Sequence, residues 1–223
     1  NEIAAGGNID VMDMSQTNAG GNGTILLTTE AGTIHVLAAG TGVTTAGTGT
    51  ITLTAAGGTS DVLVDDVVTS TTGEIEINAG QDITNTAVIS ASGAGVIDLN
   101  AARNINQQAN VTSVGGAITA DATTGAITMT DGVITQTSGA GTIAYTAGTD
   151  VALSQLIGAS TVDVTAGTAG VTGAITDILT GEAANITGTT ATLTAITGIG
   201  SADDIDTNIT TLDATNTGTT GNI

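Results

Sequence analysis

One phrase recurs along the chain and constrains its fold more than any other feature: Gly, any residue, Ile or Val, any residue, an apolar residue, then usually Thr or Asn and Ala. It reads GTIHVLAAG from Gly32, GTITLTAAG from Gly49, GEIEINAG from Gly73, GVIDLNAAR from Gly95, GAITADA from Gly116, GTIAYTAG from Gly141 and STVDVTAG from Ser160. The anchors Ile51, Ile75, Ile97, Ile118, Ile143 and Val162 recur every 19 to 25 residues, about 22 on average. A fixed period of that size belongs to a stack of supersecondary units, each burying its apolar face against the next.

Inside the phrase the alternation has period two. Ile51, Leu53 and Ala55 fall on one side and Thr50, Thr52 and Thr54 on the other, which predicts a strand. A second apolar position follows eight residues after the anchor, at Ile83, Ile105 and Val151, and is often preceded by Asp or Asn. A third follows about fourteen residues after the anchor, at Ile89, Val111 and Ile157. Three short strands per repeat, separated by Gly, Asn, Asp and Ser, describe a coil with three faces. Coils stacked about 4.8 Å apart pair their strands in parallel. The expected fold is therefore all-β: a right-handed parallel β-solenoid of roughly ten coils of about 22 residues. We expect residues 1–223 to form a single solenoid, with residues 1–31 and 181–223 as less regular end regions.

Composition supports this fold over its rivals. Phe, Trp, Pro and Cys are absent, Tyr145 is the only aromatic residue, Thr is the commonest residue and Gly numbers 33. Aromatic side chains dominate most cores, so a core without them needs many small, regular contacts. Gly and Thr at this density oppose helix. A β-sandwich would need hairpin dipeptides such as Asn-Gly, and Asn22-Gly23 is the single Asn-Gly pair. Ala55, Ala79 and Ala101 suit a narrow interior where the chain turns every few residues.

The formal charge of −20 arises from 21 acidic residues against one base, Arg103. That balance is the opposite of a phosphate-neutralising surface and opposes docking on anionic lipid, so nucleic acid and membrane insertion are not expected. Abundant β-branched residues and a mean hydropathy of +0.34 point to order rather than disorder.

The phrases GTITLTAAG, GEIEINAGQDI and GVIDLNAARNI resemble the β-strand repeat regions of giant bacterial surface proteins, including the filamentous-haemagglutinin-like adhesins. The likeness spans residues 32–167. It implies an extracellular or cell-surface β-helix serving as a structural filament subunit or stalk segment. The alternative is a calcium-stabilised adhesin that binds cell-surface carbohydrate or another cell. The matching positions are scaffold, so the resemblance assigns no functional residue.

Candidate chemistry is sparse. Asp61, Asp65 and Asp66 form one acidic cluster and Asp203, Asp204 and Asp206 another, and both are candidate calcium ligands because calcium takes six to eight oxygens. Solvated turn charge that protects the rod from lateral aggregation is the competing reading. The nonapeptide pattern of calcium-binding repeats is not met, since Thr24 stands where Asp is needed. His35 has no nearby His, Cys or carboxylate pair, Arg103 is expected to pair locally with an acid, and no Ser-His-Asp spacing occurs, so no catalysis and no cofactor are expected.

Outward residues should stack in columns. One holds Thr52, Glu76, Asp98 and Asp163, where Glu76 and Asp98 repel unless water or a cation intervenes. The other holds Thr54, Asn78, Asn100, Thr146 and Thr165, suited to a hydrogen-bonding ladder. Thr-x-Thr runs suggest an ice-binding array, but Glu74, Glu76 and Asp98 interrupt it. Sequons occur at Asn22, Asn110, Asn185 and Asn208. The chain opens Asn-Glu-Ile and closes Gly221-Asn222-Ile223, which matches Gly7-Asn8-Ile9, and neither end reads as a cap. The partner expected from this is the chain itself, as part of a longer array or by end-to-end stacking.

Overall fold

The computed structural model describes residues 2–4, 6–170, 172–201, 203–219 and 221–223. Asn1, the first residue of the Asn-Glu-Ile opening, lies outside the described residues. The described chain is a β-solenoid of about nine turns of about 24 residues, built from three parallel sheets of 10, 9 and 9 strands. Each turn contributes one strand to each sheet in the same order. The first sheet carries Ile51–Ala55, Ile75–Ala79, Ile97–Ala101, Ile118–Ala122, Ile143–Ala147 and Thr161–Ala166, the successive copies of the repeat phrase.

Register is the central fact of this architecture. Ile51, Ile75, Ile97, Ile118, Ile143 and Val162 are Cα partners in sequence, each one coil above the last. All six have no solvent exposure. A second inward column runs Leu53, Ile77, Leu99, Ala120, Tyr145, Val164, and a third is almost entirely alanine. Every first-sheet strand from Ile25–Thr29 to Ile143–Ala147 shows the same alternation of buried and half-buried residues. Burying one such Ile or Leu contributes about 1.5 to 3 kcal/mol, so many small columns supply what aromatic rings would otherwise provide. Tyr145 fits because its neighbour one coil below, Ala120, is small.

Two details depart from the sequence reading. GTIHVLAAG does not belong to the first sheet: Ile34–Val36 pairs with Ile9–Val11 and Val62–Val64 on the second. The first-sheet strand of that coil is Ile25–Thr29. In the third sheet Val111 pairs with Thr135 and Thr135 with Leu156, so the inward residue is Leu156 and Ile157 faces outward. A one-residue slip exchanges the two faces of a strand, and adjacent apolar residues conceal which of them is inside.

Each corner has its own chemistry. Where the third sheet hands over to the first, Gly49, Gly73, Gly95, Gly116 and Gly141 lie over one another. A Cβ on any of the last four would fall well inside 3.0 Å of the carbonyl oxygen of the glycine one coil below. Buried hydroxyls satisfy several of these carbonyls: Thr45 and Ser70 donate to Gly49 O (2.8 and 3.2 Å), Ser113 to Gly95 O (2.8 Å) and Thr137 to Gly141 O (3.0 Å). The glycine of the repeat phrase is therefore required by close approach of two backbones.

Gly116→Ala should lower the unfolding free energy by about 2 to 4 kcal/mol in urea titration followed by circular dichroism, because the clash is with backbone that cannot step aside. Gly58→Ala, where an added Cβ meets nothing within 4 Å, should stay within about 0.5 kcal/mol of the parent.

Candidate functional site

Polar side chains concentrate at the corners and on the outer faces, and most are engaged with the coil above or below. At the corner before the second sheet, the residue preceding each inward Ile or Val is often Asn or Asp. Its side-chain oxygen accepts a backbone N–H one coil up. Asn8 accepts from Thr33 (2.9 Å), Asp61 from Asp82 (3.0 Å), Asp82 from Asn104 (3.0 Å), Asn104 from Ala126 (3.0 Å) and Asp150 from Ala174 (2.8 Å). This ladder satisfies turn amides that the sheets leave free.

Arg103 completes the ladder at its centre. Its Nε donates to Asp82 Oδ1 at 2.8 Å and its Nη2 to Asp82 Oδ2 at 2.5 Å, a bidentate pair. Asn104 Nδ2 adds a bond to the same carboxylate at 3.1 Å. The guanidinium bonds, with help from the Asn104 donors, hold the Asp82 carboxyl below the usual aspartate range. The one strong base of the chain thus pairs with an acid, as expected, but the partner is not local: Asp82 lies on the preceding coil, 21 residues back.

The corner between the second and third sheets carries Asp13, Asp65 and Asp66. Asp13 accepts the N–H and hydroxyl of Thr41 (2.5 and 2.8 Å). Asp66 accepts the N–H of Val67 (2.8 Å) and of Gly40 (3.2 Å). Asp65 accepts the Thr86 hydroxyl at 2.6 Å and meets His35 Nε2 at 2.7 Å, and these two contacts lower its pKa in that order. His35 therefore has a carboxylate partner, contributed by the following coil and not visible in the local sequence.

The six candidate calcium ligands are not brought together. Asp61 and Asp65 flank the strand Val62–Val64, at the two corners just described. Asp203 and Asp204 are exposed and Asp206 is half-buried, its N–H donating to Asn185 Oδ1 at 2.9 Å. Among the described residues no three His, Asp or Glu side chains stand where they could share an ion.

The outer columns of the first sheet follow the expected order. Thr52, Glu76, Asp98, Thr119, Ala144 and Asp163 stack in one, and Thr54, Asn78, Asn100, Asp121, Thr146 and Thr165 in the other. Asn100 donates to Asn78 (3.1 Å) and Asn78 to Thr54 (3.4 Å), forming the ladder proposed for the second column. In the first column Thr119 Oγ1 donates to Asp98 Oδ1. Burial, reinforced by the Glu76 carboxylate, nevertheless keeps the Asp98 pKa above its ordinary value.

The polar groups in the core are structural. Gln107 Nε2 donates to Thr135 (2.9 Å), and the Tyr145 hydroxyl bonds Thr135 (2.6 Å) and Gln107 Oε1, all fully buried. Burial pushes the Tyr145 pKa upward, which keeps it a neutral donor. Two concavities open at the ends of the stack, one lined by Ile9, Val11 and Met14, the other by Ile199, Ile205 and Leu212. They show the interior columns end-on. The sequence flagged the Asp or Asn before the second apolar position but gave no sign of its role, because each bond joins residues more than twenty apart.

Opposite pH responses follow from Asp82 and Asp98, whose pKa values move in opposite directions. Asp82, with its lowered pKa, stabilises the fold above the ordinary aspartate range and loses that contribution as pH falls through its lowered value. Asp82→Asn should therefore reduce the melting temperature at pH 7, with the deficit closing in strong acid. Asp98, with its raised pKa, weakens the fold as pH rises through the raised value, so Asp98→Asn should melt higher than the parent at pH 7 and equal it in acid. Thermal melts across pH check both. A lower melting temperature for Asp98→Asn at pH 7 would indicate a cation held between Asp98 and Glu76.

No protein-family model, curated protein or solved structure matches the chain.

Proposed function

We propose that the chain is a structural rod, a filament subunit or stalk segment of an extracellular or cell-surface fibre, and that it performs no catalysis. The observation that carries this reading is the unbroken register of three parallel sheets through successive coils. Side chains that could do chemistry are occupied in supporting that register: Asp61, Asp82, Asn104 and Asp150 cap amides, Arg103 holds Asp82, and Asp65 holds His35 and Thr86. Among the described residues the first strand of each sheet, Glu2–Ala4, Ile9–Val11 and Asp13–Gln16, pairs with a neighbour on one side, and another coil of the same design, from the same chain or another copy, can add at the other. The net charge of −20 spreads over the sides and discourages lateral association, leaving the axis as the favoured direction of contact.

Electron microscopy and fibre diffraction of the purified chain, with and without a calcium chelator, test the proposal. Rods with a diffraction spacing of about 4.8 Å along the axis, or fibres built from them, should persist unchanged in chelator. Rods that lose order on chelation, or saturable binding on a glycan array, would replace this reading with that of a calcium-dependent or carbohydrate-binding adhesin.

A further inference from the structure

We infer that Asn22 is a site of spontaneous covalent modification, where the backbone nitrogen of Gly23 attacks the Asn22 side-chain amide and converts it to a succinimide. Several asparagines of this fold are held in place. Asn8, Asn78, Asn100, Asn104 and Asn110 are held by bonds to a neighbouring coil, and Asn185 is fully buried with its amide donating to Ser154 O and Asp177. Each of these is followed by a residue carrying a Cβ, which crowds the approach of the next nitrogen. Asn22 differs on every count. It is exposed, it lies in the turn between Asp13–Gln16 and Ile25–Thr29, and among the described residues neither its side chain nor the Gly23 N–H makes a hydrogen bond. Gly23 has no Cβ to crowd the approach of its own nitrogen.

The chemistry needs only water. The Gly23 nitrogen forms a bond to Asn22 Cγ and gives up its proton to solvent base, while the Asn22 nitrogen takes up a proton and leaves as ammonia. One water then opens the ring at either carbonyl, giving an aspartate or an isoaspartate in which the backbone runs through the side chain. Both products place a new negative charge in the turn, and both remove the amide from the sequon Asn22-Gly23-Thr24. Of the four sequons, Asn185 is buried and Asn110 accepts the Ile134 N–H at 2.9 Å, whereas Asn22 and Asn208 are exposed.

The test is to hold the folded chain at mildly alkaline pH and follow each asparagine by peptide mass spectrometry. The peptide containing Asn22 should progressively gain the mass of an amide-to-acid conversion and split into two chromatographic species. One of these should accept a methyl group from a protein-isoaspartate methyltransferase. Peptides containing Asn78, Asn100 and Asn104 should stay unchanged over the same interval. Gly23→Ala should suppress the conversion, and Asn22→Gln, which leaves Gly23 in place, should abolish it; circular dichroism shows whether each variant is folded. An Asn22 that survives in the folded chain but converts in denaturant, or ladder asparagines that convert as fast, would overturn the inference.

Discussion

In the coils between the two ends, the strand residues of this fold have counterparts one strand spacing above and below, about 4.8 Å away, and that proximity decides what each position can hold. A column must tolerate its own repetition. Ile on Ile inside the rod interdigitates without strain, and alanine repeats where the interior narrows. At the corner where carbonyls crowd the next coil glycine recurs from Gly49 to Gly141, and Ser160 takes the place in the following, shorter copy. At the corner where a turn amide points up the axis, Asn or Asp is favoured because its side chain reaches that amide. The unusual composition, poor in aromatics and rich in Gly, Thr, Ala and Ile, follows from this constraint.

The same constraint governs charge. A carboxylate placed in a column meets either another carboxylate or a donor. Asp82 meets donors from Asn104 and Arg103 and its pKa falls, whereas Asp98 meets Glu76 in a partly buried setting and its pKa rises. Acids placed at corners thus act as fasteners between coils, and those on the outer face tax stability while keeping the sides of the rod mutually repellent. A function residing in length and surface presentation is consistent with a molecule whose acids and amides serve its own backbone.

Much of this was legible in the sequence, and the gaps have physical causes. The Gly-x-Ile phrase with its period-two alternation located the first-sheet strands from Ile51–Ala55 to Thr161–Ala166, because the inward positions there are apolar in every copy. The pattern is local and does not state which face a strand joins, so GTIHVLAAG resembled its neighbours yet lies on the second sheet. Leu156 and Ile157 are equally apolar, and the pairing partner Thr135 gave no hydrophobic signal to fix the register. Asp61, Asp65 and Asp66 looked clustered, but a strand rises about 3.3 Å per residue and Val62–Val64 holds the first two apart at separate corners. Contacts such as His35 with Asp65 cross from one coil to the next, and no window shorter than a coil contains them.

Cysteine pairing tests the register directly, since the chain has no cysteine of its own. Glu76 and Asp98 are Cα partners, within the separation a disulfide spans, while Glu76 and Asn100 are offset by two residues and lie about 8 Å apart. Under mild oxidation Glu76→Cys with Asp98→Cys should form an intramolecular disulfide in nearly all molecules, and Glu76→Cys with Asn100→Cys should stay reduced. Efficient bridging of the offset pair, or none in the aligned pair while the protein is folded, would contradict the parallel in-register stack.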